Sequence, residues 1–139
     1  MHTPPLILTT LILIVATISG CNPLRNSSNQ LILLNGEETR KLFADNTVEA
    51  LNLNTGTTSF TYYANSGEVR QERLWEQRLG NWRINQKGEI CLQLDEGKEG
   101  CHIIGKLGGT YRKYRIDTHG KLKPIVRYRR FLPENLLKL

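Results

Sequence analysis

The stretch Ile90-Cys91-Leu92-Gln93-Leu94-Asp95-Glu96-Gly97-Lys98-Glu99-Gly100-Cys101 decides how this chain is read. If Cys91 and Cys101 stand directly opposite each other on two antiparallel strands, Leu94 faces Lys98 and the loop is Asp95-Glu96-Gly97. A three-residue hairpin loop calls for φ > 0 at its third position, where a glycine stands. Cysteine spacing and turn chemistry therefore select the same register. Opposed residues at a non-hydrogen-bonded pair bring their Cβ atoms close enough for a bridge, so a Cys91–Cys101 disulfide is expected.

Outward from this hairpin, turn clusters recur in both directions. They fall at Asn52 to Gly56, Asn65-Ser66-Gly67, Gly80-Asn81, Asn85 to Gly88, Gly108-Gly109 and Thr118-His119-Gly120. Between them lie runs rich in Thr, Val, Ile, Tyr, Phe and Trp, at 57–64, 69–79, 82–84, 90–94, 101–104, 110–117 and 122–131. Such spacing predicts a mainly β domain, an antiparallel meander of seven to eight short strands forming a small barrel or sandwich. One short helix is expected before it. Asn35 followed by Glu38 is an N-cap signal with acids in the first turn, and the helix should run from Gly36 to Ala44. The leucines of the terminal segment 132–139 are expected to cover one end of the barrel, and Trp75 and Trp82 read as core residues. At this chain length the barrel interior is expected to be filled by side chains.

The first thirty residues have a different character. Residues 6–18 form an apolar run broken only by threonines, and Ile18-Ser19-Gly20-Cys21 follows it. An apolar core of 7–15 residues ending in small residues fits a secretory signal, and it is too short to span a bilayer. The four residues resemble the lipobox of bacterial lipoproteins, although Met1 to Pro5 carries no Lys or Arg. The resemblance implies cleavage before Cys21 and transfer of a diacylglyceryl group to its thiol. It also implies, with Asn22 in place of Asp, an address at the outer membrane of a Gram-negative cell, facing the periplasm. An uncleaved signal anchor and a signal cut elsewhere are the alternatives. The expected organisation is a signal at 1–20, a polar tether at 21–30 and one domain at 31–139.

With Cys21 assigned to the lipid, Cys91 and Cys101 remain as an even pair in an oxidising compartment. His2, His102 and His119 do not supply a zinc ligand set, and no cofactor is expected. The histidines also lack a neighbouring nucleophile motif, and no acid, base and nucleophile can be named together. A non-enzymatic protein is expected.

Charge gives the strongest functional cue, since the chain is +6 overall. Between Gly105 and Arg130 stand Lys106, Arg112, Lys113, Arg115, Lys121, Lys123, Arg127, Arg129 and Arg130, against the single acid Asp117. Alternation puts Lys113 and Arg115 on the face of Tyr111, and Lys121, Lys123, Arg127 and Arg129 on the face of Ile125 and Phe131. Two adjacent strands would then present one basic surface, with Arg112, Lys113, Arg115, Lys121, Lys123, Arg127 and Arg129 as the anion-binding candidates. In the envelope the available anions are lipid head groups, lipopolysaccharide, peptidoglycan and protein partners, so no nucleic acid is expected. A monomer is expected.

Gly80-Asn81-Trp82-Arg83-Ile84, the two cysteines and Gly109-Thr110-Tyr111, after a Gly36-Glu37-Glu38 helix, resemble short proteobacterial envelope domains of unknown function. That family transfers no activity. The small β-barrel lipoproteins that inhibit lysozyme share size, anchor and disulfide with this chain. Ser66-Gly67-Glu68 matches their Ser-Gly but lacks the tyrosine that should follow, and a basic domain would repel a basic enzyme. A lipocalin-like barrel carrying a small ligand is the second functional reading.

Overall fold

The computed structural model describes residues 29–136 and residue 138. The expected signal, Cys21 and most of the expected tether lie outside the described residues. The described chain is mainly β: β1 (Ile32–Leu33), α1 (Gly36–Phe43), β2 (Asn46–Asn52), β3 (Thr58–Tyr63), β4 (Glu68–Arg73), β5 (Glu76–Ile84), β6 (Ile90–Leu94), β7 (Gly100–Leu107), β8 (Thr110–Ile116) and β9 (Leu122–Pro133). Strands β2 to β9 pair in sequence order, and β9 returns to pair with β2, which closes an eight-stranded antiparallel barrel. β1 is an extra strand. It pairs with Gly105 and Lys106 of β7, where β6 no longer reaches.

The Cys91–Cys101 register is the expected one, with Ile90 opposite His102 and Leu92 opposite Gly100. The two sulfur atoms lie 2.06 Å apart. The turn differs from the expectation. The ladder stops at Leu92 and Gly100, and the left-handed residue is Asp95 (φ 53°) rather than Gly97. Asp95 tolerates that conformation because its partners hold it there: its N–H donates to the Leu79 carbonyl, and its carboxylate accepts from Arg78 Nε at 2.7 Å.

Other expected turns are held by side chains as their composition suggests. Asn52 Oδ1 accepts from the N–H groups of Asn54 and Thr55, Asn85 Oδ1 from those of Lys87 and Glu89, and Asp117 Oδ1 from those of His119 and Lys121. Gly80-Asn81 is not a turn; both residues lie within β5. The chain reverses instead at Leu74-Trp75, inside the expected 69–79 strand, with φ of 52° and 68°. Trp75 is accordingly 96 % exposed, whereas Trp82 is 3 % exposed and belongs to the core.

The helix starts as its capping signal requires, with Asn35 and Glu38 bonding reciprocally at 2.9 Å. It lies across the end of the barrel where β3 ends and β4 begins. Phe43 plugs that end, its ring edge-on to Tyr63, Tyr128 and Phe131 at 5.0, 5.2 and 5.4 Å. Trp82 completes the plug. Its indole N–H donates to the Ala64 carbonyl at 2.7 Å, and the Arg40 guanidinium lies over its ring. Helix α1 therefore does the covering expected of the terminal leucines; Leu136 is exposed, and Leu137 and Leu139 lie outside the described residues.

Candidate functional site in the open half of the barrel

The inward positions change character along each strand. In β3 they run Tyr63, Thr61, Ser59 toward the other end of the barrel; in β4 they run Val69, Gln71, Arg73. Large apolar groups fill the half next to α1, and small or polar groups line the other half. Thr57, Ser59, Thr61 and Gln71 are too short to meet across an eight-stranded barrel, so the interior is not filled there. A cavity of about 160 Å3 remains, lined also by Ala50, Asn52, Arg73, Arg78, Leu92, Leu94, Lys113, Val126 and Tyr128. The barrel is therefore not filled throughout by side chains, contrary to what its chain length suggests. The physical reason is the run of small inward side chains on β3, whose missing volume the longer side chains of the facing strands do not fill.

Cross-strand pairing orders the polar wall. Thr61 is opposite Gln71 and accepts from its Nε2 at 3.0 Å, and Gln71 is opposite Arg78. Ser59 is opposite Arg73. Lys113 enters from β8, where its neighbours in the ladders are Ile104 and Val126. Burial lowers its pKa from 10.5 to about 8. Lys113 and Arg78 also line an adjoining space of about 250 Å3 with Lys98 and His102, which continues toward the 95–99 loop. The His102 pKa is lowered by burial and by the nearby Lys113 ammonium.

Two cavity groups stand without a hydrogen-bond partner among the described residues, Arg73 Nε and the Tyr128 hydroxyl. Burial keeps the Tyr128 and Tyr63 hydroxyls protonated far up the pH scale. The cavity lining contains no Asp or Glu. Two acids stand beside it: Asp95, paired with Arg78 from the turn, and Glu76, opposite Arg73 in the β4–β5 ladder.

The residues singled out in the sequence do not share one face. Arg112 and Arg115 are three apart in β8 and so lie on opposite sides of the wall. Arg112 stands opposite Arg127, and Arg115 opposite Lys123. A register shift beside Ile125 is what separates Lys123 from Arg127, which simple alternation would have put together. A second shift, at Arg129, places Arg129 and Arg130 beside the Glu49 carboxylate, which binds both guanidinium groups. Lys121 belongs to the 117–121 turn. Of the seven, Lys113 alone enters the cavity lining.

Arg73, Arg78 and Tyr128 were not singled out from the sequence. The alternation Val69-x-Gln71-x-Arg73 was the available signal: an inward row that turns polar and charged before its strand ends. Glu99 is occupied by Arg83, at 2.9 and 2.5 Å, and this pairing holds its carboxyl below the ordinary range. Cys91, Glu99 and Cys101 cluster, but the disulfide takes both thiolates that a metal would need. Compared with protein-family models, with curated proteins and with solved structures, the chain matches none of them.

Proposed function

We propose that this protein is a lipid-anchored, non-enzymatic envelope protein that carries a small ligand in the open half of its barrel. The observation that carries the binding half of this reading is the cavity itself, closed at one end by α1 and Phe43 and lined at the other by convergent polar groups. Small-molecule sites are concave, with a few placed polar groups against an apolar wall. Here Ala50, Leu92, Leu94 and Val126 supply the apolar part. The anchoring half rests on Ile18-Ser19-Gly20-Cys21 and on the apolar run before it. An extended basic surface on β8 and β9 has less support, because the two register shifts divide its charges between the inside, the outside and the Glu49 ion pairs.

Mass spectrometry tests both halves. Intact mass of the envelope-extracted protein should show residues 21–139 with an acyl modification on Cys21. Denaturing extraction of the same preparation should release a small molecule that is lost in Ser59→Phe, whose ring occupies the cavity. Protein from its own envelope with nothing bound, indistinguishable from Ser59→Phe, ends the ligand reading.

A further inference from the structure

We infer that the ligand carried in this barrel bears a phosphate group, which sits among Arg73, Arg78, Lys113 and the Tyr128 hydroxyl. This rests on the ligand-binding reading and narrows it to a chemical class.

Three cations converge on one cavity whose lining has no acid. Asp95 offsets Arg78 from the turn at 2.7 Å, whereas Arg73, although Glu76 stands opposite it in the ladder, and Lys113 form no ion pair with a carboxylate among the described residues. Two positive charges without an ion pair in a partly desolvated site are costly, and such charges are usually paired. A carboxylate would answer one of them. A phosphate monoester, with a charge of about −1.5 to −2 at neutral pH and three acceptor oxygens, answers both. The orphan donors point the same way: Arg73 Nε and the Tyr128 hydroxyl are buried donors with no acceptor among the described residues. Guanidinium groups match phosphate geometry in a way a single ammonium does not, and Lys113 adds a point charge beside them. Lys98, near the entrance, extends the positive path outward. A cavity of about 160 Å3 takes a phosphate and a few further heavy atoms, so the rest of a larger ligand would extend through the opening.

The phosphate could come from a soluble monoester or from a lipid head group, and two arms of one experiment separate them. Glycerol phosphate is titrated calorimetrically into the purified full-length protein, with glycerol as the neutral control. In parallel, the protein is floated with phosphatidylcholine vesicles with and without phosphatidic acid. The expected result is saturable binding in at least one arm. It should weaken at least tenfold in Arg73→Met and in Lys113→Met and stay unchanged in Arg127→Met on the outer wall. Binding of glycerol phosphate assigns a soluble ligand; binding of phosphatidic acid vesicles alone assigns a lipid head group. Near-UV circular dichroism confirms that each variant is folded. Arg73→Lys, which keeps the charge and loses the fork, should fall between wild type and Arg73→Met. No binding in either arm, or binding unchanged in the Arg73→Met/Lys113→Met double variant, overturns the phosphate assignment. A neutral compound recovered from the barrel overturns it too, while leaving the ligand reading intact; a barrel recovered empty ends both.

Discussion

The carbonyl oxygen of Gln93 sits 1.9 Å from the point where a Cβ on Gly80 would lie, and the Gln93 carbonyl carbon is 2.9 Å from that point. Both neighbours are backbone, so neither can swing aside. Gly80 is what lets β5 and β6 approach this closely as the wall bends around the cavity. Gly80→Ala is expected to cost about 1–3 kcal/mol, the range of overpacking in a well-packed interior. Urea denaturation of the oxidised protein measures it, and a loss below a few tenths would show that β6 can move.

The β4–β5 turn is predicted to improve on substitution. Leu74 and Trp75 both have positive φ, the pattern of a type I′ turn, which favours Asn-Gly. Bulky residues held there cost of order 1–3 kcal/mol each. Since Trp75 is 96 % exposed and Leu74 is also exposed, little packing is lost. Leu74→Asn/Trp75→Gly should raise stability by about 1–2 kcal/mol, read as a higher thermal midpoint.

Lys113 makes stability depend on pH in a particular direction. Its folded pKa of about 8 lies below the ordinary 10.5. Between those values the unfolded chain holds the proton and the folded chain does not, so stability rises as pH climbs from about 8. Below pH 8 the full cost of the buried charge is present, roughly 3 kcal/mol. Urea midpoints should therefore increase between pH 7 and 9.5. That range lies below the one in which the protonated Tyr63 and Tyr128 begin to favour the unfolded chain. Lys113→Met should be more stable at pH 7 and lose the slope.

The disulfide closes a short loop, Cys91 to Cys101 being ten residues apart. Chain-entropy arguments give about 2–3 kcal/mol for a loop of this size. Cys91→Ala/Cys101→Ala should lose about that much and still fold, because the barrel closes through its ladders. Reductant should shift the wild-type midpoint toward the variant and leave the variant where it was.

Local signals in the sequence found what local chemistry determines. Asn35 with Glu38, Asn85 with Gly88 and the Cys91–Cys101 spacing each specify a feature within about ten residues, and each appears where expected. Leu74-Trp75 escaped because the turn carries no turn residue; the ladder between β4 and β5 imposes it from outside. Gly80-Asn81 misled for the converse reason, since its glycine answers to Gln93 across the sheet rather than to a turn. The basic surface dissolved because the register shifts at Ile125 and Arg129 have no simple signature in a strand of otherwise alternating residues. The cavity depended on facing rows that only barrel closure brings together. Arg73 and Lys113 belong to strands that are not neighbours in the wall.

The seam between β2 and β9 has a consequence for how this chain becomes a barrel. Glu49 and its partner Arg130 are 81 residues apart, and every strand between them must be laid down before the two can pair. Loop closure on that scale comes late and makes folding slow, as in other domains dominated by distant contacts. Until then one edge of β2 is an open template for strand addition. A chain synthesised from its N-terminus leaves β2 waiting longest. Truncation before Leu122 should consequently yield an open, self-associating sheet rather than a smaller barrel. The last strand is the one that takes that edge out of reach.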